Sequence, residues 1–104
     1  MLDADDRVIG FTGAQPWPRP WGPAGEIEIG WRLGREHWGR GYVTAAARMT
    51  LERVRAAGVG SVVAVVNARN ARSISVTERL GMHLAETFTS PETDMLGHCY
   101  RLAL

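Results

Sequence analysis

Two glycines, Gly39 and Gly41, flank Arg40 in the run REHWGRGYVTAAARMTLERVRAAG, residues 35–58, and a stretch with helical periodicity follows at once. The first turn of a helix carries N–H groups without intrahelical partners and the positive end of the helix dipole. Glycine lets the backbone come close to a ligand. Together these suit a phosphate or pyrophosphate. A tight turn with a glycine-tolerant cap suits the same residues, and the stretch alone leaves both readings open.

Two familiar phosphate loops do not match. A Walker loop needs a lysine and then Ser or Thr after its second glycine, where Tyr42 and Val43 stand. A dinucleotide fingerprint needs a third glycine or alanine, where Thr44 stands, and an acid near the end of the next strand, where Asn67 stands. A nucleotide-binding module therefore remains only a weak competitor.

The elements that must position this turn can be read from periodicity. RVIGFTGA (residues 7–14) reads as a strand, and QPWPRPWGPAG (residues 15–25) as a loop punctuated by Pro and Gly. The loop's Trp17 and Trp21 could line a pocket, but the favoured expectation is that they cover a core edge. EIEIGWRL (residues 26–33) alternates, with Glu26, Glu28 and Gly30 on one face and Ile27, Ile29 and Trp31 on the other. In the helix after the glycines, Val43, Ala47, Leu51 and Val54 form the apolar stripe, Glu52 between Arg48 and Arg55 marks a solvated face, and Gly58 is the terminator. SVVAVV (residues 61–66) is apolar enough for a strand buried on both faces. Strand, helix, strand in this order predicts a parallel pair with a right-handed crossover.

A second helix follows within residues 67–82, with Ile74, Thr77 and Leu80 inward and Gly81 at its end. HLAETFTS and MLGHCYRLAL make two closing strands joined through PETD. The expected fold is α/β: a mixed central sheet of about five strands with two helices, in the order β–β–α–β–α–β–β, forming a single domain over residues 1–104.

Composition narrows the partners. The net charge of +1 gives no electrostatic case for nucleic acid or a membrane surface, and the basic residues are all arginine. Cys99 is the single cysteine, so neither an intrachain disulfide nor a cysteine metal cluster is expected, and a reducing cytoplasm is the simplest compartment. The N-terminal residues are acidic and lack the apolar run of a signal peptide, and no apolar run is long enough to cross a membrane. His37, His83 and His98 have no metal-ligand spacing, and no metal is expected. His37 reads as a turn residue, and the other two as exposed strand residues.

EIGWRLGREHWGRGYVTAA followed by NARNARSISVTERLGM resembles the GCN5-related N-acetyltransferases (GNAT), and within them the ribosomal-protein-alanine (RimJ/RimL-like) branch. The resemblance runs from about residue 7 to the C-terminus. It implies acetyl-coenzyme A (acetyl-CoA) as co-substrate, with its pyrophosphate on the backbone N–H groups of Trp38, Gly39, Arg40, Gly41 and Tyr42. The pantetheine arm would pair like an added strand with Trp31, Arg32 and Leu33. The strand after the first helix would splay from its parallel neighbour and leave a gap for the thioester, with Asn70 and Ser73 touching the ligand from the far side.

Acetyl transfer to an amine needs a base for the amine, donors for the carbonyl oxygen and a proton for the departing sulfur. The resemblance offers backbone N–H groups at the end of GWRL for the carbonyl. Glu28 is the candidate base, with Glu26 as backup on the same face; a solvated or paired carboxylate is its alternative. Ser73 or Tyr100 would protonate the sulfur; Ser73 could instead cap the helix, and Tyr100 could be a core aromatic. Cys99, without an activating partner, reads as a small apolar residue.

The sequence departs from the family pattern at Glu36, where Gln or Arg is usual, and at Ala45, where Glu is frequent. The family also places a strand, two helices and another strand ahead of the equivalent of residues 7–14. A chain starting where this one does would have a truncated GNAT-like fold with an uncovered edge. That predicts a homodimer through residues 7–14 or the Trp17 and Trp21 loop. The expected activity is transfer of acetyl from acetyl-CoA directly to a primary amine, on a protein N-terminus or a small molecule. The alternative is a non-catalytic acetyl-CoA-binding or structural subunit, which would bind the ligand without turning over any amine.

Overall fold

The computed structural model describes residues 10–34 and 41–104, apart from the side chain of Leu33. Seven elements follow in order: β1 (Gly10–Pro16), β2 (Ile27–Leu33), α1 (Tyr42–Ala56), β3 (Ser61–Asn67), α2 (Ala71–Arg79), β4 (His83–Thr89) and β5 (Leu96–Ala103). The strands form one mixed sheet in the order β1-β2-β3-β5-β4. Among the described residues only β2 and β3 are parallel; every other neighbouring pair is antiparallel. This is the mixed five-stranded α/β sheet with two helices that the periodicity predicts, and β1 lies at its edge.

Strand registers place Ile29, Ala64 and Tyr100 on one face of the sheet and Glu28, Val63 and Arg101 on the other. Both helices pack on the first face. Ala47 and Leu51 of α1, Val76 of α2 and Leu80 at its end are buried together with Ile29, Val62, Ala64, Val66 and Tyr100. Val43 and Val54 complete the expected α1 stripe as partly buried neighbours. Thr77 is fully buried, and its hydroxyl donates to the Ile74 carbonyl at 2.6 Å, which satisfies the polar group locally.

Glycine ends both helices for a conformational reason. Gly58 and Gly81 have φ of 86° and 81°. In α1 the N–H of Gly58 bonds Arg55 O at 3.0 Å and that of Val59 bonds Val54 O at 3.3 Å. In α2 the N–H groups of Gly81 and Met82 bond Glu78 O and Thr77 O, both at 3.0 Å. Each pair closes the last turn in the Schellman pattern, which requires a left-handed residue.

The second face is partly covered by the β1–β2 loop. Trp17 and Trp21 pack edge-on with ring centroids 5.6 Å apart, and Trp21 lies 5.6 Å from Phe88 of β4. The Phe88 ring rests against Gly97, where an added Cβ would sit 3.1 Å from it. The tryptophans thus cover sheet residues, as the sequence suggests.

One boundary and one register differ from the sequence reading. β1 continues through Gln15 and Pro16, which pair with Glu28 and Ile27; proline is tolerated at the end of an edge strand, where its missing N–H need not join a ladder. The register of β4 against β5 shifts between Leu84 and Glu86, an irregularity that side-chain alternation alone does not reveal.

Candidate functional site

β2 and β3 are each seven residues long but share a single register pair, Glu28 with Val63. Beyond it, toward their C-terminal ends, the strands part. Since α1 follows β2 and α2 follows β3, both helices start at the edge where the gap opens. Open α/β sheets bind ligands at such an edge, outside the carboxyl ends of parallel strands.

A cleft of about 780 Å³ occupies this place, lined by Trp31 and Arg32 of β2, Gly41 and the first turn of α1, and Asn70, Ser73 and one side of α2. Gly41 is the N-cap of α1, with φ of 74°, and supplies no side-chain cap. No described atom lies within 4 Å of where its Cβ would be. The first turn of α1 therefore opens on the cleft without an acidic or polar cap side chain competing for a ligand. Three arginines, Arg32, Arg72 and Arg79, line the cleft, and no carboxylate does among the described residues. Its volume, its helix mouth and its positive lining fit an elongated polyanion.

Opposite Gly41, Asn70 caps α2, its Oδ1 accepting from the Ser73 N–H at 3.1 Å. The cap is thus Asn70 and not Ser73, because an Asn side chain three residues earlier reaches the free N–H first. Ser73 Oγ instead accepts from Trp31 Nε1 at 3.2 Å, tying the end of β2 to the first turn of α2. Of the ligand-binding residues expected from the sequence, Trp31, Arg32, Gly41, Tyr42, Asn70 and Ser73 come together in this one cleft. Leu33 ends β2. Trp38, Gly39 and Arg40, with Glu36 and His37, lie outside the described residues.

The expected proton-transfer groups are not gathered on one surface. Glu28 lies on the sheet face away from the helices, half-buried, whereas Tyr100 is only 7% exposed and packs in the helix-side core. Burial raises the Glu28 carboxyl above its ordinary value; a hydrogen bond with Gln15 and the charge of Arg19 pull the other way. Glu26 is engaged with Arg101, whose Nε donates to Oε1 at 2.9 Å while its NH2 nitrogen donates to Oε2. That two-bond pair occupies the backup base and raises the Arg101 pKa further.

Cys99 is fully buried, and burial, with Glu86 next in weight, pushes its thiol up to about 11, so it is no thiolate nucleophile. His83 is exposed as expected, but His98 is half-buried, its Nδ1 finding no hydrogen-bond partner among the described residues. The reason is its register: His98 shares the helix-side face with Tyr100, with their rings 6.2 Å apart. Among the described residues no three His, Cys, Asp or Glu side chains gather as metal ligands, and no helix is long and apolar enough to cross a membrane.

The sequence reading missed Arg72, Ser75 and Arg79 as cleft residues. Their spacing puts them on one flank of α2, but the inward stripe of Ile74, Thr77 and Leu80 does not say which flank meets α1.

Comparison with known proteins adds a family. Residues 1–83 match the family model described as acetyltransferase (GNAT) domain. The chain is 39% identical over 62 residues to protein YkkB of Bacillus subtilis (strain 168), covering 59% of this chain and 36% of YkkB. The fold is shared with the ribosomal-protein-alanine N-acetyltransferase of Brucella melitensis, at TM-score 0.82 and 18% identity, over 99% of this chain and 66% of that one. It is also shared with yncA of Salmonella typhimurium, solved with its cofactor acetyl-CoA, at TM-score 0.78 and 20% identity, over 93% and 58% of the two chains. The chain thus spans about a third of YkkB and about three fifths of these solved structures.

Proposed function

The chain belongs to the acetyltransferase (GNAT) domain family, and on that premise we propose that it is an N-acetyltransferase that binds acetyl-CoA in the α1–α2 cleft and passes the acetyl group directly to a primary amine. The observation that carries the proposal is the convergence of described residues from both motif blocks and the end of β2 on one cleft, which no carboxylate lines among the described residues. The Salmonella yncA structure, with acetyl-CoA bound to the same fold, supports the choice of ligand.

Each part of the ligand has a group of this chain to meet it. The open first turn of α1 at Gly41 and Tyr42 holds the pyrophosphate, with Trp38, Gly39 and Arg40, outside the described residues, as the further contacts that the family resemblance implies. Trp31, Arg32 and Leu33 offer the pantetheine arm the β2 edge that parts from β3. Asn70 and Ser73 close the far side. When bound, acetyl-CoA supplies an activated acetyl group; transfer breaks its C–S bond and forms an amide.

Glu28, with its raised pKa, takes the amine proton on the sheet face away from the helices, directly or through water. Backbone N–H groups at the end of β2 stabilise the carbonyl oxygen as it gains charge. Ser73, already tied to the end of β2 through Trp31, or Tyr100 of the helix-side core returns a proton to the sulfur.

The Brucella neighbour supports a RimJ/RimL-like assignment, with a protein N-terminus as one acceptor class beside small amines. We further propose a single domain, a cytoplasmic setting, and a homodimer that covers the β1 edge, where Phe11 is 59% exposed. Incubation with acetyl-CoA and a panel of amines and N-terminal peptides, followed by free thiol and product mass, tests the activity. Stoichiometric thiol and acetylated amine support it; bound acetyl-CoA that no amine discharges favours a non-catalytic binding subunit.

A further inference from the structure

A smaller cavity, of about 210 Å³, lies outside the α1–α2 cleft, near the C-terminal end of β3. Trp17 and Trp21 of the β1–β2 loop, Phe88 of β4 and Glu92 of the β4–β5 turn wall it. These walls are held by their own bonds. Trp17 Nε1 donates to the Trp21 carbonyl at 2.5 Å, and Ser90 Oγ accepts from the Glu92 and Thr93 N–H groups, both at 3.3 Å. Arg19 sits against them. Its guanidinium carbon is 5.6 Å from the Trp17 ring centroid and 5.4 Å from that of Trp21, within reach of a cation–π contact. Its Nε donates to Glu92 Oε1 at 3.2 Å. Arg19 and Glu92 are the charged groups lining the cavity among the described residues. Two indole rings and one carboxylate thus make a guanidinium seat, which the chain fills with a side chain of its own.

Arg19 holds that seat weakly. Its side chain is 40% exposed and that of Glu92 57%, and ion pairs so exposed add little to stability. An incoming guanidinium regains the same rings and the same carboxylate while Arg19 returns to water, so the exchange leaves the charge of the seat unchanged. The cavity is below the size of sites for drug-sized ligands and suits a guanidinium with its alkyl stem.

The position of the seat on the sheet says what else its ligand carries. Val65 lines the cavity and stands two residues along β3 from Val63, the register partner of Glu28. Two strand residues span roughly 7 Å, and Glu28, Val63 and Val65 share the sheet face away from the helices. A primary amine joined to a guanidinium by a short alkyl chain reaches Glu28 with one end and the cavity with the other. Resting on Glu28 as the base for the amine, we infer that this cavity is a specificity subsite for the acceptor: Trp17, Trp21 and Glu92 seat a guanidinium carried by the amine substrate, and Arg19 is its built-in competitor.

The test compares agmatine, a primary amine joined to a guanidinium by four methylenes, with pentylamine as acceptors. The ratio of their kcat/KM values with acetyl-CoA is measured for the unaltered chain, Glu92→Gln and Arg19→Gln. The unaltered chain should prefer agmatine at least tenfold, about 1.4 kcal/mol. Glu92→Gln should bring the ratio to within about twofold of unity. Arg19→Gln empties the seat and should raise the ratio roughly threefold. A loop merely loosened by substitution would move both variants the same way. A ratio that falls in both, a ratio that changes in neither, or an unaltered chain without preference overturns the assignment. If neither amine is acetylated, calorimetry with agmatine alone separates the two readings. Binding that Glu92→Gln abolishes keeps the guanidinium seat while the acetyl-transfer reading fails; no binding to the unaltered chain or to Arg19→Gln overturns the seat as well.

Discussion

Replacing Gly41 by leucine separates a ligand cradle from a mere turn, and the chain supplies its own control. Gly41 and Gly58 stand at opposite ends of α1 with φ of 74° and 86°, and at neither would a Cβ meet a described atom within 4 Å. Leucine at either position pays the left-handed penalty of roughly 1–2 kcal/mol. For a domain of this size that lowers Tm by roughly 5–15 °C. The two variants should lose similar stability, because at neither position does the new Cβ meet a described atom. Their effects on binding should differ. A side chain at 41 projects into space a phosphate would occupy, while one at 58 projects into solvent at the far end of the helix. Calorimetry with acetyl-CoA, well below both Tm values, should show at least a tenfold loss for Gly41→Leu, roughly 1.4 kcal/mol, and less than a twofold loss for Gly58→Leu. Equal affinities in the two variants would refute a phosphate cradle at this turn.

Three further outcomes are expected. Glu28→Gln should lower turnover with acetyl-CoA affinity nearly intact, and should remove the acid limb of the pH–rate profile, as steady-state rates across pH will show. Because the folded-state pKa of Glu28 is raised, the carboxyl favours the folded state fully below its ordinary 4.5 and loses that contribution as pH rises through the raised value; melting curves should therefore show Glu28→Gln more stable than the unaltered chain at neutral pH. Asn70→Ala removes the cap of a nine-residue helix and should cost about 1 kcal/mol, a Tm drop of roughly 4–8 °C; an unchanged Tm would mean that the cap contributes nothing. Sedimentation across the micromolar range should show a dimer, weakened by Phe11→Lys, whereas a monomer throughout would reject the proposed pairing.

Much of this architecture is legible in local sequence because local physics sets it. The α1 stripe follows from helical period, the helix ends from glycines that must adopt positive φ, and the buried β3 from an unbroken apolar run. The site is legible where one chain segment builds it, as at Gly41 and Asn70. What escapes the sequence depends on segments far apart. The single Glu28–Val63 pairing fits the splay that the family resemblance implies, but no local residue pattern announces it. That Glu28 and Tyr100 face opposite sides follows from registers passed through β3 to β5. The Trp17 and Trp21 contact with Phe88 spans about 70 residues, and the arginine flank of α2 acquires meaning only once α1 lies beside it.

The most direct test of the central claim is native mass spectrometry of the chain titrated with acetyl-CoA and then with an amine. One molecule of acetyl-CoA should be retained per chain, and addition of an accepted amine should convert the loaded species to one carrying coenzyme A, with the acetyl group recovered on the amine. A chain that retains no acetyl-CoA even at millimolar ligand would contradict the account.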